Sequence, residues 1–390
     1  MTTTQFSSRK ITINEIITLP QCQSWEKTYH IFDDESALAI EMAVATGRPL
    51  LVRGEPGIGK SQLARAAAVE LKRLFISEVV NIAIEGQDLL WRYDPVARLN
   101  DAQAYAIDPD KEKPEKDYLN PKHYISPGVL WWAFDCKSAI EQHKKCRHPF
   151  YQPRIYFSGS EDKKIGEDNN TSSCQCFDTC SQGALDDDVK NLEKHGIVLL
   201  IDEIDKADPS MPNSLLEVLG NGGFTVPMLN KSVGLRDDVP RPLVIITTNE
   251  ERELPPAFIR RCLVLNLALD DEKRLFNWWK SRPETDFSEE NDHFTPEKAL
   301  VHWLSVRAEV HFPEEFQELV KEKVAELLIG DRNKAKRDGT VKPGQAEYLD
   351  LLRALKEMTD PSQNNEKRAK EQLLLLKKIS PYALEKAPIE

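Results

Sequence analysis

The sequence predicts an α/β protein in which a parallel sheet flanked by helices precedes an all-helical region. Apolar runs without polar alternation recur between residues 49 and 267, which is typical of parallel strands buried on both faces. An Ala- and Leu-rich helical stretch directly follows the first of these runs, as it does in a βα unit. After about residue 268 the apolar spacing is helical only.

Each element is predicted from its local pattern. The predicted strands are the apolar runs 49–52, 79–84, 196–201, 242–248 and 262–267. The predicted helices span 36–46, 61–75, 313–328, 345–358 and 366–379. Leu38 and Met42 are expected on a buried face of the first helix, and the charged run 331–342 is expected to be a solvated loop.

Composition excludes several classes of protein. The 390 residues carry 52 Lys+Arg against 64 Asp+Glu, a net charge of -12, which argues against a nucleic-acid substrate bound through bulk charge. No apolar run approaches the roughly 18 residues that a membrane span requires, and the N-terminus has no apolar core like that of a signal peptide. Seven cysteines in such a chain fit a reducing cytoplasm, which is the expected location.

One motif predicts phosphate binding. The stretch 54–61, here called the phosphate loop, matches G-x-x-x-x-G-K-[ST] and lies between an apolar run and a helical stretch. It consists of Gly54, Glu55, Pro56, Gly57, Ile58, Gly59, Lys60 and Ser61. Its glycines let backbone N–H groups approach phosphate oxygens closely, at the positive end of the following helix. Lys60 would reach the terminal phosphates, and Ser61 would offer a hydroxyl to Mg²⁺.

Two carboxylates, Asp202 and Glu203, follow the most apolar run of the chain. Ligands collect at the carboxyl ends of parallel strands, so Asp202 is expected beside Ser61, where it would hold Mg²⁺ directly or through water. Glu203 would accept a proton from an attacking water. A strand that simply ends in solvated acids is the alternative, and the phosphate loop makes it the weaker one.

Three further residues are candidates for phosphoryl chemistry. Asn249 ends the run 242–248 and could position the water, although an Asn at a strand end is also a common turn residue. Arg260 and Arg261 could stabilise charge that develops on the phosphoryl group, in cis or from a neighbouring subunit. A solvated or salt-bridged arginine pair is the alternative.

Taken in order, these residues resemble the Walker A, Walker B, sensor 1 and arginine-finger elements of an AAA+ ATPase. The stretches GRPLLVRGEPGIGKSQLA, LLIDEIDKADPSMPNSLLEVLGNGGFTVP, ITTNEERELPPAFIRRCLVLNL and KPGQAEYLDLLRAL are similar to the MoxR branch. The resemblance implies that Asn249 is sensor 1, that Arg261 is the arginine finger, and that 223–240 is a hairpin before sensor 1. It also implies ATP with Mg²⁺ at the interfaces of a ring, usually a hexamer, and a protein client or a von Willebrand factor A domain partner.

The chain departs from that pattern in two places. Relatives commonly carry a sensor 2 arginine at a position that corresponds to 345–347 here, and this chain has no arginine there. Arg353 is therefore the substitute we consider. Between Lys60 and Asp202 the chain is also longer than a compact core needs, which implies an insertion at about 98–192. The expected division is an N-terminal extension 1–30, a nucleotide-binding core 31–268 that includes the insertion, and a helical lid 269–390.

Five cysteines and a histidine fall in the insertion, namely Cys136, Cys146, Cys174, Cys176, Cys180 and His148. Four of these side chains could bind zinc, but the spacing lacks the usual pair of C-x₂-C knuckles. Unligated thiols are therefore the preferred interpretation, and a zinc site is the alternative.

Two functions from different classes fit these observations. The first is an ATP-hydrolysing motor or chaperone-like ATPase that remodels or activates a partner protein. The second is a nucleotide-gated scaffold or sensor of a bacterial conflict system, with slow turnover. A small-molecule kinase leaves Glu203 and Arg261 without a role. A GTPase is disfavoured because the only candidate guanine motif, 205–208, has the wrong first residue.

Overall fold

The computed structural model describes residues 11–21, 25–107, 117–147, 194–280 and 294–384. Up to residue 147 the elements are β1 (Ile17–Leu19), β2 (Thr28–His30), α1 (Asp34–Thr46), β3 (Leu50–Gly54), α2 (Lys60–Glu70), β4 (Leu74–Val79), β5 (Trp91–Tyr93), α3 (Pro95–Ile107), β6 (Ile125–Pro127), α4 (Val129–Phe134) and α5 (Cys136–Lys145). From residue 194 on they are β7 (Ile197–Asp202), α6 (Met211–Asn221), β8 (Gly223–Val226), β9 (Lys231–Gly234), β10 (Leu243–Thr248), α7 (Pro256–Arg261), β11 (Leu263–Leu267), α8 (Glu272–Lys280), α9 (Pro296–His311), α10 (Glu318–Asp338), α11 (Gln345–Glu357) and α12 (Asn365–Leu384).

A five-stranded parallel sheet with the order β11-β3-β10-β7-β4 forms the centre of the molecule. All six residues of β7 and of β10 are buried, which is why their sequences lack polar alternation. Hydrophobic clusters cover both faces of the sheet, one of them through α2 and the other through α4 and α6. The predicted α/β fold class, with a parallel sheet followed by an all-helical region, is confirmed.

The helical region, α8 to α12, has its own apolar core. Its buried members include Trp278, Trp303, Tyr348 and Leu352. Arg274 of α8 links this region to the α/β part, because its Nε donates to Asp33 Oδ2 at 2.6 Å. Burial would raise the pKa of Asp33, but the Arg274 guanidinium and Ser36 outweigh it and hold that pKa below its usual value.

The second strand and its preceding helix differ from the prediction. The helix ends at Glu70 instead of residue 75, and Lys72 takes a left-handed conformation with φ of 54°. The chain then enters β4 at Leu74, so the predicted strand 79–84 shares only Val79 with the observed one. Leu74 to Ile76 are apolar enough for either element, and pairing with β7 decides for a strand.

Three smaller predictions are also wrong. Leu38 and Met42 are 66 % and 50 % exposed, because α1 buries Ile40 and Ala43 on its other side. The helix predicted at 313–328 begins only at Glu318. It then continues to Asp338, so most of the predicted solvated loop 331–342 is helical.

The expected hairpin at 223–240 is present as β8 paired with β9.

The described part of the expected insertion, 98–107 and 117–147, includes a helix that packs against the parallel sheet. Trp131 and Trp132 of α4 are fully buried, and α4 lies against β4 and β7. Cys136 and Cys146 are buried. The other residues considered for the alternative zinc site, His148, Cys174, Cys176 and Cys180, lie outside the described residues. Among described residues, no group of three or more His, Cys, Asp or Glu side chains could hold a metal ion. No described helix is long and apolar enough to cross a membrane.

Gly54 ends β3 where strand β11 leaves no room for a side chain. A Cβ built there would lie 2.2 Å from the backbone oxygen of Leu267. We expect Gly54→Ala to lower the free energy of unfolding by about 2 kcal/mol or more, because backbone must shift. Gly330→Ala in α10 is the matched control, since a Cβ there meets nothing within 4 Å and alanine favours helix. Denaturant unfolding measures both, and equal stabilities would contradict the close packing of Gly54.

Candidate functional site

The phosphate loop joins β3 to α2 and opens at the carboxyl edge of the sheet. Gly57 and Gly59 have φ of 76° and 92°, which suits glycine and turns the backbone toward the start of α2. Gly59 caps α2 without a side-chain hydrogen bond, and the first turn carries no acidic residue. The N–H groups of this turn are therefore available to an anion, as the phosphate motif predicts.

Lys60 lies at the centre of the loop. Its ammonium donates to the carbonyl oxygens of Gly54 and Glu55 at 2.7 and 2.8 Å, and to Asn249 Oδ1 at 2.7 Å. Burial lowers the pKa of Lys60, although the carboxylates of Asp202 and other nearby acids oppose that shift. The lysine is thus held between the loop and the end of β10.

Ser61 and Asp202 are brought together as expected. The Ser61 hydroxyl lies 2.8 and 3.0 Å from the two Asp202 carboxylate oxygens, although 141 positions separate the residues. Asp202 is 9 % exposed and also accepts a hydrogen bond from the Thr247 hydroxyl. One hydroxyl and one carboxylate are the protein ligands that Mg²⁺ commonly uses beside phosphate oxygens and water, so the donor set fits that ion.

Glu203 and Asn249 face each other next to this pair. Asn249 Nδ2 donates to Glu203 Oε1 at 3.4 Å, and Lys206 Nζ donates to Glu203 Oε2 at 2.7 Å. Glu203 has φ of 59°, an uncommon conformation for a residue other than glycine, and Thr247 holds it there by accepting its N–H at 2.9 Å. The carboxylate is therefore oriented by groups from two strand ends.

Asp205 fixes the backbone around Asn249. Its Oδ2 accepts from the N–H groups of Asn249 and Glu251, each at 3.1 Å, and the side chain is 3 % exposed. Sequence reasoning missed Asp205 and Thr247 as site residues. Signals for both exist, namely the second Asp of Asp202-Glu-Ile-Asp205 and a hydroxyl within an apolar strand.

Arg260 and Arg261 are not brought to this cluster. They are exposed in the last turn of α7, immediately before β11 begins, and so they lie at the amino edge of the parallel sheet. Strand β3, with five residues at about 3.3 Å each, separates that edge from the phosphate loop by about 15 Å. A role of either arginine at the phosphate loop of its own chain is therefore excluded by position.

The helical region contacts the phosphate loop through a buried arginine of α10. Arg332 Nη1 donates to Glu55 Oε2 at 2.7 Å and to the Pro343 carbonyl at 2.6 Å. Its Nη2 lies 3.5 Å from Asp270, and the side chain is 3 % exposed. Lys342 also pairs with Glu55, at 3.2 Å.

Arg353, the sensor 2 substitute considered from the sequence, does not reach the loop. Its side chain is 58 % exposed and pairs with Asp350 within α11. Arg332 takes the position of a helical-region arginine at the phosphate loop instead. No local pattern could have identified it, because the expected solvated loop began one residue earlier, at 331, and Glu55 lies 277 positions away.

A cavity beside the phosphate loop is bounded by both parts of the molecule. It is lined by Tyr29, His30, Ile31, Ser36, Ile58, Gly59, Gln62, Leu63, Leu267, Ala268, Leu269, Arg274, Leu275, Trp303, Arg307, Val310, His311 and Gln345. His30 Nε2 is buried there and has no hydrogen-bond partner among the described residues. Burial, with help from Arg307, lowers the pKa of His30 to about 3. The imidazole is therefore neutral near pH 7 and offers an unused polar atom to a ligand.

Neither a protein-family profile nor a curated protein sequence matches this chain. Solved structures with a similar fold include the RuvB Holliday junction branch migration motor of Thermotoga maritima, at 13% identity and TM-score 0.38, covering 88% of this chain and 67% of that chain. A mutant of the same RuvB gives 14% identity and TM-score 0.39, covering 88% and 68%. A Cytophaga hutchinsonii protein described as a proposed ATPase gives 13% and 0.31, covering 89% and 78%.

These likenesses concern the fold alone, and the superpositions are loose. The class of the protein is instead defined by its own strand order, by the phosphate loop between β3 and α2, and by the helical region that closes over the loop. It is a P-loop nucleoside-triphosphatase fold with a helical lid.

Arg332 is expected to hold the helical region onto the phosphate loop. Arg332→Met leaves Glu55 and the Pro343 carbonyl without their shared donor, so the free energy of unfolding should fall by about 2 kcal/mol. Arg353→Met, which removes an exposed pair within one helix, should cost under about 0.5 kcal/mol. Denaturant titration of both variants makes the comparison, and equal losses would contradict the role of Arg332.

His30 is expected to make stability depend on pH. Its folded pKa of about 3 lies below the ordinary value of 6.5, so the unfolded chain binds more protons between these values. The free energy of unfolding should therefore be highest above 6.5 and fall on acidification toward 3, by up to about 1.4 kcal/mol per pH unit. Asp33 opposes this shift, whereas Arg307, Arg274 and His311 act with it.

His30→Gln removes that titration and should flatten the pH profile of stability relative to the parent protein. His311→Gln is the companion variant, because burial also lowers the pKa of His311, to about 4. The pH range over which the His311→Gln profile is flatter than the parent's should end at a higher pH, near 4, than the range for His30→Gln, near 3. A His30→Gln profile parallel to the parent's between about pH 6 and 4 would contradict a neutral, buried His30.

Proposed function

We propose that this protein is an ATP-hydrolysing AAA+ ATPase of the MoxR-like branch, which couples ATP turnover to remodelling or activation of a partner protein. The observation that carries the proposal is the convergence of Lys60, Ser61, Asp202, Glu203 and Asn249 at one sheet edge. These are the residue types that hydrolysis of a phosphoric anhydride requires, at hydrogen-bond distances from one another. Domain boundaries 1–30, 31–268 and 269–390 belong to the same proposal.

In the proposed mechanism, the N–H groups of the phosphate loop and Lys60 bind the phosphates. Ser61 and Asp202 would hold Mg²⁺, which neutralises charge on the phosphate oxygens when it is bound. Glu203 accepts the proton of the attacking water, and Asn249 orients that water. The cavity next to His30 is the place for the nucleobase, since it adjoins Gly59 and is lined by both polar and apolar groups.

The arginine pair supports assembly into a ring. Arg260 and Arg261 lie at the opposite edge of the sheet from their own phosphate loop, so they can serve only the site of another subunit. A closed ring, usually a hexamer in proteins of this type, supplies such a neighbour to every site. By the same resemblance, the partner would be a protein client or a von Willebrand factor A domain protein, and the location cytoplasmic.

One observation favours the second candidate, a nucleotide-gated scaffold or sensor with slow turnover. Lys206 donates to Glu203 Oε2 at 2.7 Å, so the proposed base is engaged by a cation. A carboxylate oxygen that already accepts from Lys206 is not open to the attacking water, which favours slow basal hydrolysis. A basal rate measured with and without a candidate partner distinguishes this function from a motor.

Glu203→Gln tests the mechanism. It should lower kcat by about 100-fold or more and leave nucleotide affinity near that of the parent, because the amide cannot accept a proton. Lys60→Ala should weaken binding itself. Glu250→Gln is the matched control. Glu250 directly follows Asn249, its side chain is 57% exposed, and the ion pair described for it is with Arg53 at 3.6 Å.

Steady-state ATPase kinetics and titration with a fluorescent ATP analogue measure these effects. Unchanged turnover in Glu203→Gln would sink the proposed mechanism. A parent rate as low as that of Glu203→Gln, together with ATP-dependent assembly, would favour the sensor instead.

A further inference from the structure

The last turn of α7 carries Arg260 and Arg261. It is held by Arg48, which precedes β3, the strand that leads into the phosphate loop. Arg48 lies two residues before β3. Its Nη2 donates to the carbonyl oxygens of Arg260 at 2.7 Å and Cys262 at 3.0 Å. Its Nε donates to the Arg261 carbonyl at 3.2 Å. One guanidinium thus contacts three successive carbonyl groups.

Those carbonyl groups are the ones that a helix leaves without partners at its C-terminus. The N–H of Cys262 donates to Ile259, and α7 ends there in an extended conformation. Among the described residues, Arg48 provides the side-chain donors recorded for these three carbonyls. A planar guanidinium is suited to this because its N–H groups diverge in a fixed fork, which an ammonium does not reproduce.

Different residues anchor α7 to the core and contact its C-terminal end. Phe258 is fully buried and anchors the helix to the core, whereas Arg48 is exposed and its side chain donates to the end of the helix. The carbonyl groups that Arg48 holds belong to Arg260, Arg261 and Cys262, so Arg48 contacts the backbone that carries the two exposed arginines.

The surroundings of this contact are strongly basic. Arg48, Arg241, Arg260 and Arg261 line one open cavity together with Thr46, Gly47, Pro49, Leu216, Leu219, Gly220, Phe258 and Cys262, and no acidic side chain is among them. Four cations without an acid favour an anion at this surface. Since nothing at this edge belongs to the chain's own phosphate loop, the anion would come from another molecule.

We propose that Arg48 is a positioning residue, which fixes the end of α7 so that Arg260 and Arg261 reach the nucleotide bound by the neighbouring copy of this chain. The inference rests on the proposed function and adds a residue to it. Arg48 acts through the backbone it holds and does not itself touch the reacting phosphate.

Arg48→Met is the primary variant. Its kcat should fall by about tenfold or more, because even a small displacement of a charge-stabilising group weakens it strongly. Its KM, its affinity for an ATP analogue and its unfolding midpoint should stay near the parent values, since its own phosphate loop is intact. Arg48→Lys should recover little, because it restores the charge without the fork.

Arg241→Met is the matched control. It removes the same charge from the same cavity, but no hydrogen bond from its side chain to α7 is recorded among the described residues. Its kcat should stay within about twofold of the parent value. Equal losses in both variants would mean that basic charge alone matters, and would overturn the positioning role. Loss of nucleotide binding in Arg48→Met would overturn it as well.

Mixed assemblies give the decisive measurement. Arg48→Met subunits keep an intact phosphate loop, and Lys60→Ala subunits keep an intact α7. If the arginines act between subunits, mixing these two impaired variants should raise ATPase activity above the sum of the separate variants, at the interfaces that combine both intact parts. Arg261→Ala mixed with Lys60→Ala is the reference for an arginine that acts in trans.

The mixture of Arg261→Ala with Lys60→Ala distinguishes failure of the Arg48 proposal from failure of the proposed function. Recovery in both mixtures supports the positioning role. Recovery with Arg261→Ala alone overturns the role of Arg48 and leaves the proposed function standing. Recovery in neither mixture overturns the action of arginines between subunits, and the role of Arg48 with it.

Discussion

The parallel pairing of β3, β10 and β7 is the constraint on which the site depends. In this register Thr248 pairs with Arg53, and Ile246 pairs with Ile201, so the three strands end at one edge. Because the strands end together, Lys60 can donate to Asn249 at 2.7 Å and Ser61 can donate to Asp202 at 2.8 Å. A slip of one residue in either pairing would turn the side chains of β7 or β10 to the opposite face and separate these groups.

Much of this could be predicted from the sequence. Strands β7 and β10 are buried on both faces, whereas β11 buries Leu265 and Leu267 and exposes Val264 and Asn266. The apolar run of each strand can be recognised without knowing its neighbours. The phosphate loop has a fixed spacing, and the carboxyl-edge rule for parallel sheets then places Asp202 beside Ser61. The residues at this edge could therefore be predicted from the sequence, because they follow the ends of strands and the local apolar pattern locates those ends.

Other features depend on contacts between distant parts of the chain. Leu74 to Ile76 become a strand because β7 lies beside them, and the segment at 331–338 stays helical because it packs on the helical region. Arg332 resembles any surface arginine in a charged run until Glu55, 277 positions away, is brought next to it. The same holds for Arg48, whose three carbonyl partners lie more than 200 positions away.

The contact between the helical region and the phosphate loop also includes backbone. Ala346 N–H, in the first turn of α11, donates to the Gly57 carbonyl at 3.1 Å, and the Ala346 methyl group leaves no space for a side chain on Gly57. A change in the shape of the loop at Gly57 therefore meets α11 directly. Where a bound ligand favours a shift of α11, a protein that imposes the same shift changes the affinity of the loop for that ligand by the same free energy. The contact between Ala346 and Gly57 thus links the position of the helical region to the shape of the phosphate loop.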